Sequence, residues 1–326
     1  MSILCVGSVA LDSVETPFGK AERVVGGSAV YFAAAATAFH PVQVVGVVGD
    51  DYPLADLDFL QERGADLAGI EKAAGESFFW AGRYHYDLNT RDTLETRLGV
   101  FADFQPKIPD GARDARHVFL GNIDPVLQLD VLDQVDAPQV VACDTMNYWI
   151  EGSRDDLLKL LERVDILLVN DEEVRQLADE VNLLKAARWV QERGPKIVVV
   201  KKGEHGAILF ADGWLFYAPG YPLEEVFDPT GAGDAFAGGF MGYLAYAGST
   251  RPADLRRAMV YGSALGSFAC ERFSVDRLKE LESDDIHRRV EHFRRITAFE
   301  TGEPTASAAG GSGAGAVAAG ETGSEG

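Results

Sequence analysis

The chain has 326 residues and only three cysteines, no run of basic residues and no long apolar segment. Cys5, Cys143 and Cys270 form no CxxC pair, and each sits in an apolar context. That excludes a disulfide scaffold and reads as small buried hydrophobes in a reducing compartment. Lys and Arg total 30 against 51 Asp and Glu, a formal net charge of −21. A surface so acidic repels nucleic acid and anionic membranes, so neither is expected as a partner. No stretch of about 18 apolar residues exists to span a bilayer. The opening "MSILCVGSVALD" has no basic flank and reads as a first buried strand, not a signal peptide. A cytoplasmic protein is the expectation. GxxxxGK[ST], HExxH and a GxGxxG after the first strand are all missing. Their absence argues against a P-loop enzyme, a zincin and a dinucleotide dehydrogenase.

What is present alternates. Apolar, β-branched runs occur at 3–11, 42–49, 117–121, 139–144, 165–170 and 196–201. Amphipathic patterns such as "DLLKLLERV" and "LLKAARWVQERG" lie between them. This alternation predicts an α/β fold, a mostly parallel sheet with helices on both faces. Residues 77–106 break the rhythm with an aromatic, Thr-rich segment that predicts two or three antiparallel strands. They form either extra edge strands or a small β lid over the strand ends where open sheets bind ligands. From residue 300 to 326 the composition falls to Gly, Ala, Ser and Glu, the mark of a disordered tail. The folded unit is therefore placed at 1–299.

The densest signal is "DPTGAGDAFAGGF", Asp228 to Phe240. Pro229 biases Asp228 to an extended backbone. Gly231 and Gly233 allow close approach of a bound group, and a helix opens behind them. Loop amides and a helix N-terminus together favour an anion. Asp234, in the first helical turn, either complements the helix dipole or accepts the proton of an attacking hydroxyl. Gly238, Gly239 and Gly242 each cost roughly 1 kcal/mol inside a helix, which predicts very close packing there.

This segment resembles the C-terminal signature of the ribokinase, or PfkB, family of carbohydrate kinases, and further motifs follow in the family's order over residues 2 to about 299. The resemblance implies a three-layer ribokinase-like fold with ATP and Mg²⁺ as cofactors. It implies an anion hole at Gly231, Ala232 and Gly233, with Asp234 as the base. "GSVALD" would put Asp12 on substrate hydroxyls, the alternative being a turn cap. "GGSAVYF" would bring the Gly26-Gly27 loop to the substrate, but Tyr31 stands where the family usually has Asn. Asn170 and Glu173 match an NxxE motif that helps hold Mg²⁺ through water and phosphate; the same residues also suit a helix capping box. "VKKGEHG" would carry nucleotide contacts at Lys202, Gly203 and Gly206, with Lys201 or Lys202 offsetting phosphate charge. Asp50 and Asp51 read as turn formers. The polar, aromatic density of "RYHYDLNTRDT" nominates Asn89 and Arg91 for substrate contact, or else marks a face that pairs two subunits as a homodimer. The acceptor would be an alcohol group of a sugar or sugar-like molecule. A nucleoside kinase, with Tyr31 touching a base, a vitamin-type or hydroxymethylpyrimidine kinase, against which the lid argues, and a catalytically silent sugar- or nucleotide-sensing protein are the alternatives.

Overall fold

The computed structural model describes residues 2–299; the tail predicted at 300–326 lies outside them. Thirteen strands run β1 (Ile3–Val6), β2 (Ala10–Thr16), β3 (Gly19–Gly26), β4 (Val42–Val48), β5 (Asp66–Lys72), β6 (Phe78–Tyr84), β7 (Arg91–Arg97), β8 (His117–Leu120), β9 (Val140–Asp144), β10 (Ile166–Asn170), β11 (Ile197–Lys201), β12 (Ala207–Ala211) and β13 (Trp214–Ala218). Nine form one sheet in the order β13-β12-β11-β10-β9-β8-β1-β4-β5. All its pairings from β11 to β5 are parallel, and β12 and β13 add an antiparallel edge. The α/β reading from sequence is confirmed.

Strand parity sorts the core into two layers. Ile3, Cys5, Ala142, Leu168 and Val199 point to one side, where the helices Ser28–Ala36, Ala232–Ala247 and Pro252–Ala269 pack. Leu4, Val6, Val141, Cys143, Leu167, Val169, Val198 and Val200 point to the other, against Pro125–Leu132, Arg154–Leu161, Asp171–Ala178 and Leu183–Gln191. The inner strands β1, β4 and β8 to β11 are buried on both faces, which is why they read as continuous apolar runs.

The glycines of the helix Ala232–Ala247 explain the first layer. A Cβ at Gly238 would come within 2.3 Å of the Phe32 carbonyl oxygen, and one at Gly239 within 2.9 Å of that of Tyr261. The helix is thus wedged between Ser28–Ala36 and Pro252–Ala269 at backbone contact. The backbone contact offsets the propensity cost of the glycines.

The remaining strands form a separate sheet, β3-β2-β6-β7. Strands β6 and β7 fall within 77–106 as an antiparallel pair, and they are not edge strands of the main sheet. The other half comes from far upstream: the run 3–11 is not one strand but splits after Val6, and β2 leaves the main sheet to pair with β6 in parallel. Asp12 therefore sits in the small sheet, not at the end of β1. Asp50 and Asp51 are turn formers: Asp50 accepts from the Gly75 amide at 3.1 Å, and Asp51 accepts from Ser77 N and Oγ at 2.7 and 2.8 Å.

Candidate active site

Three neighbouring parallel strands end in polar residues of one parity. Ala142 leads to Asp144, Leu168 to Asn170 and Val199 to Lys201, so all three continue the rows that face the glycine-rich helix. Carboxyl ends of parallel strands are where open α/β sheets hold ligands. Lys201 Nζ donates to Asp144 Oδ2 at 2.5 Å, with both side chains largely buried. The same Nζ lies 3.2 Å from where a Cβ on Gly233 would stand. Glycine at 233 is what lets an ammonium group approach the start of the helix.

That start is built by a turn. Asp228, almost fully buried, accepts from the Thr230 amide at 2.8 Å and from the Ser274 amide at 3.3 Å. Gly231 is the N-cap, with φ 72°. The Ala232 amide donates to the Pro229 carbonyl at 3.2 Å. Of the three amides implied for an anion hole, this one is engaged within the turn. Those of Gly231 and Gly233 have no protein acceptor among the described residues. Asp234 follows in the first turn, partly buried.

The electrostatics are those of carboxylates crowded out of water. Burial pushes Asp234 up to about 7; the Asp144 carboxylate adds to the rise, and Lys201 and Arg91 pull against it. Glu173 is likewise raised to about 7 by burial and by Asp144, with Lys201 opposing. Burial works to lower the Lys201 pKa, but Asp144 and Glu173 win and hold it above its ordinary value. Glu173 and Asn170 form a reciprocal capping box: the Asn170 amide donates to Glu173 Oε2 at 2.8 Å and the Glu173 amide to Asn170 Oδ1 at 2.7 Å. The cap and a site role are compatible, because the cap fixes the carboxylate at the strand ends.

The Asp12 side is tighter still. A Cβ at Gly26 would fall 1.9 Å from Asp12 Oδ2, and one at Gly27, whose φ is 95°, would fall 2.4 Å from the Ser8 carbonyl oxygen. Gly26 is what admits the carboxylate against the backbone, and Gly27 lets the loop pass Ser8 at backbone contact. Asp12 is buried and raised to about 7, by burial first and by Asp228 next, while the Gly27 amide stabilises its anion. Asp234 also raises it, so the two carboxylates share one electrostatic environment.

The hairpin of β6 and β7 reaches the same centre. Thr230 Oγ1 donates to the Tyr84 hydroxyl at 3.3 Å. Arg91, at the start of β7, is close enough to lower both Asp234 and Glu173. Asn89 goes elsewhere: its Oδ1 lies 2.4 Å from a Cβ position on Gly203, so the hairpin tip covers the Gly203–Gly206 turn. That turn joins β11 to β12 with positive φ at Gly203 and Gly206, 54° and 89°. Lys202 flanks it, its amide donating to the Gly206 carbonyl at 2.7 Å. The lysine that enters the carboxylate cluster is Lys201. Asp144 and Lys201 were the residues to find by strand parity, since both extend rows that face the glycine-rich helix. Among the described residues no group of three His, Cys, Asp or Glu side chains converges as a chelating site, and no helix is long and apolar enough to cross a membrane.

Comparisons with known proteins fit this geometry. The model of the pfkB family carbohydrate kinases matches residues 124–280. The chain is 31% identical to the cytidine kinase of Thermococcus kodakarensis over 247 residues, covering 74% of this chain and 87% of that protein. In structure it resembles the nucleoside kinase of Burkholderia thailandensis in complex with inosine, with TM-score 0.75 at 20% identity, covering 89% of this chain and 97% of that one. It also resembles the aminoimidazole riboside kinase of Salmonella enterica complexed with aminoimidazole riboside and an ATP analogue. There the TM-score is 0.71 at 20% identity, covering 88% and 99% of the two chains.

Proposed function

Because the chain belongs to the pfkB family of carbohydrate kinases and is an ATP-dependent kinase that phosphorylates a hydroxyl, we propose that its acceptor is a ribonucleoside and that Asp234 is the base. The observation that carries the base assignment is Asp234 itself, a carboxylate raised to about 7 beside the free Gly231 and Gly233 amides and Lys201. The named relatives that act on or bind cytidine, inosine and aminoimidazole riboside support the acceptor class.

The acceptor lies between Asp12, the Gly26-Gly27 loop and the β2-β3-β6-β7 sheet, which serves as a lid. Asp12 accepts hydrogen bonds from its hydroxyls, a task suited to a carboxylate with two oxygens. The reacting hydroxyl gives its proton to Asp234 as its oxygen attacks the γ-phosphorus; the bond from that phosphorus to the ADP oxygen breaks. The amides of Gly231 and Gly233 and the Lys201 ammonium stabilise the charge on the transferring group. Arg91 adds positive charge from the lid. Gly203, Gly206 and Lys202 hold the nucleotide side.

The donor set suits Mg²⁺, which Glu173 and Asn170 would hold through water, because among the described residues no three His, Cys, Asp or Glu side chains converge. Bound there, the ion neutralises phosphate charge.

The test is an ATP-turnover panel of ribonucleosides and free pentoses on wild type and Asp234→Asn. Turnover on ribonucleosides, reduced at least about 1,000-fold in the variant with ATP binding retained, is the expected result. Preference for a free pentose overturns the acceptor class. Near-normal turnover in Asp234→Asn overturns the base.

A further inference from the structure

A positive groove interrupts the surface of a chain whose net charge is −21. It is a cavity of about 300 Å³ between the C-terminal helix Ser283–Thr297 and the far end of the helix Pro252–Ala269. Arg288, Arg289, His292 and Arg295 line it from one side of the C-terminal helix, and Arg277 lines it from the short helix Asp276–Lys279. Cations gathered in this way repel one another and weaken the fold unless something answers them.

The protein answers them only in part. Arg277 and Arg289 form the floor, 19% and 12% exposed. Both donate to Glu271, Arg277 Nε to Oε2 at 3.0 Å and Arg289 to Oε1. Arg289 also donates to Ser267 Oγ at 2.9 Å and lies over the Phe268 and Tyr221 rings, 3.4 and 4.5 Å from their centroids. These two guanidinium groups are therefore fixed in place. Arg288 and Arg295 form the exposed rim. Arg288 donates to Asp285 Oδ1 at 2.5 Å, and Asp285 Oδ2 is 3.4 Å from Arg277. Arg295 has no acidic partner among the described residues. His292 Nδ1 is hydrogen-bonded to the Tyr221 hydroxyl at 2.6 Å, which leaves Nε2 as its other polar atom. Four guanidinium groups thus meet two carboxylates, Glu271 and Asp285, each already shared by two of them. The excess is two positive charges, which matches the charge of a phosphate monoester near pH 7.

We propose that this groove is a second anion site, one that binds a small phosphate-bearing ligand apart from the strand ends where phosphate transfer is placed. Arg277 and Arg289 present their remaining N–H groups from the floor, and Arg288 and Arg295 close on the anion from the rim. Guanidinium forks match phosphate oxygens in pairs, and fixed ones lose little freedom on binding. The cavity has room for one small ligand, and the acidic surface elsewhere on the chain repels a long polyanion. Glu271 follows Cys270, whose carbonyl accepts from the Phe227 and Asp228 amides at 2.9 and 3.4 Å. The groove therefore adjoins the stem of the turn that opens at Gly231. A bound anion relieves the repulsion among the arginines and stabilises the folded chain. The site stands independently of the acceptor and the base assigned above.

The full chain is melted in rising inorganic phosphate at constant ionic strength, with Mg²⁺ and a non-hydrolysable ATP analogue filling the nucleotide site. Wild type is compared with the double variant Arg288→Gln, Arg295→Gln. The expected result is a saturable rise in the wild-type Tm, with a midpoint at least about tenfold higher in the double variant. Glycerol 3-phosphate, run in parallel, separates the sources: a midpoint below that of inorganic phosphate marks a phosphate ester as the ligand, and an equal or higher one marks the free anion. Both substituted side chains are exposed. Arg295→Gln alone breaks no described ion pair and carries the same test should the double variant unfold. A rise that never saturates, or that is equal in wild type and variant, is the general salting effect of phosphate on any fold and overturns the site. Phosphate binding that is lost in Lys201→Met and kept in the arginine variants places the anion at the strand ends; that result also overturns the site and leaves the kinase reading standing.

Discussion

The two ends of the proposed site are built differently. The phosphate end rests on the main sheet and the glycine-rich helix: Asp144, Asn170 and Lys201 finish parallel strands, and Gly231 to Asp234 open a helix packed at backbone contact. The acceptor end is assembled from the small sheet and the loops that cross to it: Asp12 on β2, Gly26 at the end of β3, and Arg91 on β7. The family model covers 124–280, the phosphate end, and does not reach these acceptor residues. Phosphoryl transfer makes the same demands whatever the acceptor, so its groups sit on rigid elements. An acceptor site must differ between enzymes, and a sheet outside the main core can change without disturbing it.

The difference can be attacked from the phosphate end first. Lys201→Met removes the cation beside Gly233 and leaves Asp144 buried without its partner. Turnover is expected to fall by about 100-fold or more, as when a charge stabilising a transition state is lost, with the acceptor KM changed little. Steady-state kinetics with both substrates varied read this directly. A change confined to the acceptor KM would show that the two ends are not separate. From the other end, Asp12→Asn keeps the shape beside Gly26 but weakens hydroxyl binding. The acceptor KM is expected to rise about tenfold with the ATP KM unmoved; an equal rise in both would dissolve the distinction.

The phosphate end was also the more legible in sequence, for a physical reason. A turn that lays its backbone against the Tyr31 ring and the Lys201 ammonium takes glycine at 231 and 233, and a helix wedged between two others needs Gly238 and Gly239, so close approach leaves its mark in residue type. The strands showed as continuous apolar runs because both their faces are covered. Lys201 and Lys202 could not be separated by type, only by parity: Lys201 continues the row of Val199, on the side of the glycine-rich helix. The acceptor end was harder because its sheet is discontinuous. Strands β2 and β6 pair across more than sixty intervening residues, and no local pattern says that a strand beginning at Ala10 has left the sheet that Ile3–Val6 belongs to. The cap on Glu173 and its place in the site were both readable, since one geometry serves both.

The smallest effect tests the cost of the phosphate end without any chemistry. Asp234 is about 3.8 ordinarily and about 7 in the fold, raised chiefly by burial. The folded chain thus holds this proton more tightly than the unfolded chain does. The stabilisation from protonated Asp234 is complete below about pH 4 and is lost as pH rises through about 7. Asp234→Asn removes the penalty of a buried anion while keeping the shape. The variant's Tm should exceed that of wild type by a few degrees near pH 8, and the gap should close as pH approaches 4. Lys201 and Arg91 offset part of the penalty, which keeps the effect modest. Thermal melts of the ligand-free proteins across that range measure it. A variant less stable than wild type at pH 8 would mean that Asp234 is held by favourable contacts and not strained by burial.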